Sequence, residues 1–145
     1  MAKARFQAKG VKTTTRGQSK KYYTQMTQEE INYLLAEVAK IDRVFLQKHV
    51  CDKCRLFDID PSYIQNIFHS MTKDNLIEYN NGRGKERRVV FQDHNIIECE
   101  GGEKVYLTFS VGLDTHDIVT VYMNDIYDNH LNVNMKAYDK NLKII

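Results

Sequence analysis

The sequence predicts an α+β fold, with N-terminal helices packed on an antiparallel sheet of four to five strands. Three observations predict it. Apolar residues recur at helical spacing up to Met71 and at alternate positions from Leu76 onward. Between the first two alternating runs lies Asn81-Gly82, a hairpin signal. At 145 residues the chain holds one compact domain and a tail, read as a basic arm over 1–25 and a single domain over 26–145.

The elements follow in order. Thr27-Gln28-Glu29-Glu30 reads as a capping box, with Thr27 as cap and Glu30 reaching back to it. Ile31, Leu34, Leu35, Val38 and Ile41 then line one face of a helix over 28–42. Residues 43–47 could prolong that helix or form a short strand, and 48–56 read as a short polar helix. Asp60-Pro61 opens a helix over about 61–73, carried by Ile64, Ile67, Phe68 and Met71. Strands are expected over 76–79, 87–91, 95–99, 104–111 and 118–123. In the fourth, Val105, Leu107, Phe109 and Val111 point one way and Tyr106, Thr108 and Ser110 the other.

Charge divides the chain. The net charge is +2, yet residues 1–25 carry Lys3, Arg5, Lys9, Lys12, Arg16, Lys20 and Lys21 with no acid, which leaves the rest at −5. That leader has no apolar periodicity and reads as a solvated arm able to lie along a phosphate backbone and release its counterions. Phe6, Tyr22 and Tyr23 are its possible stacking groups. A second cationic patch is the hairpin loop, where Arg83, Lys85, Arg87 and Arg88 face one acid, Glu86. Gly82 and Gly84 let its backbone approach a phosphate, and arginine suits bidentate contact. The bland alternatives are a solubilising tail and a charged strand edge.

Other chemistry is sparse. No apolar stretch is long enough to span a membrane, and the basic start is not expected to be a secretory signal. Three cysteines suit a reducing cytoplasm. Cys51-Asp52-Lys53-Cys54 is half a zinc site, with His94 and Cys99 unfixed as further ligands, so no metal or cofactor is assigned. Gly82-Arg83-Gly84 lacks the end of a P-loop. Asp58 and Asp60 are explained by turns and capping. Two helices followed by a basic hairpin also fit a winged-helix DNA binder, with Gln65, Asn66 and His69 reading bases.

A family pattern runs through residues 49–122. His49, Lys53, Ile59, Ile64, Leu76-Ile77-Glu78-Tyr79, Arg88-Val89-Val90 and Ile118-Val119-Thr120-Val121-Tyr122 stand in the order and spacing of small proteins related to RelE-type toxins. The chain resembles that group, of the barnase-EndoU-RelE fold. It departs from it at Lys53 and Phe57, where arginine is usual, and the segment Thr120-Val121-Tyr122-Met123-Asn124 with Asp128-Asn129-His130 looks similar to proteins of phages and mobile elements. The resemblance implies metal-independent RNA cleavage, in which a 2′-hydroxyl attacks the adjacent phosphorus. His49 and Tyr122 would serve as acid and base, Lys53 and Arg88 would stabilise charge, and Thr120 would bond a phosphate oxygen. The partner is then RNA more readily than DNA, or a host ribonucleoprotein. A non-enzymatic phage anti-defence inhibitor and a winged-helix regulator are the competing expectations.

Overall fold

A computed structural model describes residues 18–127 and 134–145. It contains three helices and seven strands: β1 (Lys20–Tyr22), α1 (Gln28–Ala39), β2 (Phe45–Leu46), α2 (Lys48–Leu56), α3 (Ser62–Phe68), β3 (Leu76–Asn80), β4 (Arg88–Gln92), β5 (Ile97–Glu98), β6 (Lys104–Gly112) and β7 (Asp117–Asp125). All belong to one mixed sheet in the order β1-β3-β4-β6-β7-β2, with β5 also on β6. The α+β class holds. The expected purely antiparallel sheet of four to five strands is corrected on two counts. β1 adds a strand from within the presumed arm, and β2 pairs parallel with β7.

The helices cover one face of the sheet. Leu34 and Val38 of α1, Val50 and Cys54 of α2, and Ile64, Ile67 and Phe68 of α3 share a core with Val89, Phe91, Leu107, Phe109, Val111 and Val121. Each large apolar side chain so buried contributes about 1.5 to 3 kcal/mol. The capping box forms as expected. Thr27 Oγ1 accepts the Glu30 amide at 3.1 Å, and Glu30 Oε1 accepts the Thr27 amide at 2.9 Å. α3 is shorter than the expected 61–73, because Ser70 N–H turns back to the Ile67 carbonyl and a 3-10 turn follows at Lys73–Asn75.

The C-terminal segment runs along the outer edge of β1, where the Asp139 amide donates to the Lys20 carbonyl at 2.8 Å and Ile144 enters the core. On the sheet face turned away from the helices, Tyr138 lies edge-on to Tyr22 and donates to Glu78 at 2.6 Å. Among the described residues no helix is long and apolar enough to cross a membrane.

Candidate nucleic-acid interface

Pairing of β1 with β3 brings two cationic segments of the sequence to one corner. Lys20 stands opposite Asn80, and Asn80 stands opposite Arg88 on the next strand. Directly paired residues share a sheet face, so Lys20 and Arg88 rise from the same side, about 10 Å apart across two strand spacings. One residue before β1, the Ser19 carbonyl accepts the Asn81 amide at 2.9 Å. The chain therefore enters the fold against the β3–β4 loop.

That loop is held open by its asparagines. Asn80 Oδ1 accepts the Gly82 amide and Asn81 Oδ1 the Arg83 amide, each at 2.8 Å. Gly82, Arg83 and Gly84 all adopt positive φ, of 65°, 52° and 84°. Glycine does so freely, whereas arginine pays about 1 kcal/mol or more. Arg83 and Lys85 are exposed and make no ion pair among the described residues. Lys20 is only loosely engaged, 3.8 Å from Glu78 and 5.9 Å from the Tyr138 ring centroid.

Arg88 completes the corner. Its Nε is the one buried side-chain polar atom of the described residues without a hydrogen-bond partner, and the nearest acid, Glu86, is 4.0 Å away. Glu86 is itself hydrogen-bonded by Thr115 and lies over Gly112, where a Cβ would come within 2.7 Å of the Thr115 hydroxyl. Tyr23, exposed just after β1, presents an aromatic surface three residues along the chain from Lys20.

Two expected phosphate ligands are corrected. Lys21 points to the helix side and is buried, its Nζ 2.8 and 2.9 Å from the Glu30 carboxylate oxygens and 3.0 Å from the Leu142 carbonyl. Burial works to raise the Glu30 carboxyl, but the hydrogen bonds from Lys21 and Thr27 together hold it below its usual value. Arg87 clamps α1 to the β6–β7 loop. It donates to Asp114 at 2.8 Å, Tyr33 at 3.1 Å and Glu37 at 3.2 Å. The Asp114 hydrogen bond is the main reason that its guanidinium is pushed well above the usual range. Both cations serve the fold. Lys3, Arg5, Lys9, Lys12 and Arg16 lie outside the described residues.

The residues of the implied catalytic set fall into two groups. His49, in the first turn of α2, donates Nε2–H to the Val119 carbonyl at 3.1 Å, on the β7 edge beyond the end of β2. Thr120 is the next residue of β7, and its hydroxyl is 2.8 Å from that of Ser110. Tyr122 follows on the same face, opposite Thr108. Lys53 is exposed one turn after His49 on the same side of α2. Arg88 stands apart, because its register partner Gly112 is four residues from Thr108. That offset is about 13 Å along the strands, besides the two strand spacings across. Burial first, and the Glu78 carboxylate next, push the Tyr122 phenol up. A neutral phenol donates a proton or a hydrogen bond; it is a poor base.

The sheet face beneath Tyr122 was not legible as a polar network. Asn124 Nδ2 donates to Gln92 Oε1 at 3.0 Å and to Thr108 Oγ1 at 3.2 Å, and Thr108 donates to Gln92 at 3.2 Å. Thr108, Ser110 and Gln92 are all buried. The signal available was the polar alternation of β6; what it lacks is the register that brings Gln92 and Asn124, on other strands, to Thr108.

Two of the three groups proposed for DNA reading are engaged within the fold, while Asn66 is exposed. Gln65 accepts the Val44 amide at 3.0 Å and donates to its carbonyl at 2.8 Å, and His69 donates to the Asp42 carbonyl at 2.9 Å. Cys51, Cys54 and Cys99 are free thiols, and among the described residues no cluster of three or more His, Cys, Asp or Glu side chains is placed to hold a metal. Compared with family models, with curated proteins and with solved structures, the chain matches none.

Proposed function

We propose that this chain binds nucleic acid, RNA before DNA, through the corner where Lys20, Arg83, Lys85 and Arg88 meet. One observation carries the reading. The β1–β3 pairing and the Ser19–Asn81 hydrogen bond join the five further cations of residues 1–17 to a loop in which Arg83 and Lys85 make no ion pair among the described residues. Cations left unspent by intramolecular pairing are the ones that release counterions on a phosphate chain. The Arg88 side chain, 40% exposed, adds a cation at the same corner. Single-stranded RNA is favoured because Tyr23 and Tyr122 are accessible for stacking.

A second reading, endoribonuclease on a RelE-like scaffold, is supported by the His49–Val119 hydrogen bond, which ties the imidazole to the strand that carries Thr120 and Tyr122. A phage anti-defence protein that seizes a cytoplasmic ribonucleoprotein would use the same cationic corner without the chemistry. Anisotropy with matched single-stranded RNA, duplex RNA and duplex DNA tests the main reading. Single-stranded RNA should bind tightest, and Arg83→Ser with Arg88→Ser should weaken it about tenfold or more. Preference for duplex DNA, or indifference to the double variant, would overturn it. Incubation of wild type and His49→Ala with RNA separates the enzyme from the binder, since only the enzyme leaves cyclic phosphate ends in a His49-dependent way.

A further inference from the structure

Away from the basic corner, the end of α2 and the strand β5 form a groove of opposite character. It encloses about 600 Å³ between Arg55–Asp58 on one side and Ile97–Glu100, Glu103 and Val105 on the other. Leu56 projects from its wall 82% exposed, and Phe57 beside it is also exposed. Adjacent exposed apolar side chains rimmed by polar residues are the kind of surface that binding grooves use. Around this apolar wall stand Glu98, Glu100 and Glu103, all exposed and none in an ion pair among the described residues. The one lining cation, Arg55, lies 3.7 Å from Asp52 and is partly neutralised by it.

The register sets the groove far from the cationic corner. Val105 is seven residues along β6 from Gly112, the partner of Arg88, which is about 23 Å. The two surfaces are therefore separate.

We infer that this groove is a docking site for a basic peptide segment of a partner protein, anchored by one bulky apolar side chain. Charge complementarity selects the occupant. Four lining carboxylates, counting Asp58, repel nucleic acid and anionic lipid and attract lysine and arginine, while Leu56, Phe57 and Val105 offer an apolar seat. Such segments are what RNA-binding proteins carry, so the groove and the corner together could hold the two halves of a ribonucleoprotein. The inference does not depend on the RNA reading.

The test is fluorescence anisotropy on the full chain with a labelled lysine-rich peptide bearing one central phenylalanine. Glu98→Gln, Glu100→Gln and Glu103→Gln together, and Leu56→Ser alone, change exposed side chains and leave the core intact. Each variant should weaken the peptide about tenfold, as should replacing the phenylalanine by alanine, while RNA binding measured on the same proteins stays at the wild-type level. No binding, or binding that neither variant alters, would overturn the inference. Binding that tightens about tenfold when residues 1–17 are deleted would also overturn it, by assigning the groove to the chain's own basic leader.

Discussion

Replacing Lys21 by methionine separates a cation of the fold from the cations of the interface. Lys21 Nζ makes three contacts of 3.0 Å or less, two to Glu30 and one to the Leu142 carbonyl, in a site almost closed to solvent. Methionine is unbranched and one atom shorter than lysine, and it removes the charge. Breaking a buried pair by removing one partner costs about 3 to 5 kcal/mol, because the remaining charge is left unpaired. Here Glu30 retains the Thr27 amide at 2.9 Å, so the lower part of that range applies, about 3 kcal/mol. That is a large fraction of the about 5 to 15 kcal/mol by which domains of this kind are stable. Urea unfolding followed by circular dichroism reads it as a lower midpoint at unchanged slope. Adding Glu30→Gln to Lys21→Met should recover part of the loss, since no charge is then stranded. A loss below about 0.5 kcal/mol would refute the reasoning, for it would put Lys21 in solvent with its phosphate role restored.

Other predictions follow from the same geometry. Asp114, held low chiefly by the Arg87 hydrogen bond, and Glu37, held low by Lys40 and then Arg87, contribute stability that is complete above their ordinary values of 3.8 and 4.5. It is lost as pH falls through the lowered folded values, so Arg87→Ala should cost about 1 kcal/mol at neutral pH and flatten the acid limb. An acid limb as steep as wild type would contradict the clamp. Phe109→Ala, at a position with no exposed surface, should cost about 3 to 5 kcal/mol in the same urea assay. A loss under about 1 kcal/mol would deny that the helices seat on this face. The Tyr122 phenol, identified by difference from Tyr122→Phe, should ionise above its ordinary 10.0, and Glu78→Gln should lower its midpoint. A midpoint at or below that value would return it to the list of bases.

Long elements with a strong period were legible in the sequence. The capping box of α1 and the alternation of Val105 to Val111 in β6 both emerge as read, because each repeats one physical signal over several residues. β1 was not, and β2 was open only as one of two readings of residues 43–47, since strands of three and two residues carry no period and their pairing is a tertiary event. The same blindness misassigned Lys21. Its position among arm cations is local, whereas its burial depends on Glu30 and on Leu142, which is 121 residues away. Arg87 looked like a phosphate ligand for the same reason, its acids lying 27 and 50 residues off. Arg83 and Lys85 were readable because a loop's cations need no distant partner to be exposed. Their meeting with Lys20 and Arg88 required the sheet order.

The most direct test of the cationic corner is the salt dependence of binding to single-stranded RNA by wild type and by the triple variant Lys20→Ser, Arg83→Ser, Lys85→Ser. Each cation that neutralises a phosphate adds about 0.7 to the slope of log affinity against log salt on a single strand. The corner predicts that the variant's slope is shallower by about 2 and that Lys21→Met leaves it unchanged. A variant with the wild-type slope, or a Lys21→Met protein that loses as much as the triple variant, would contradict it.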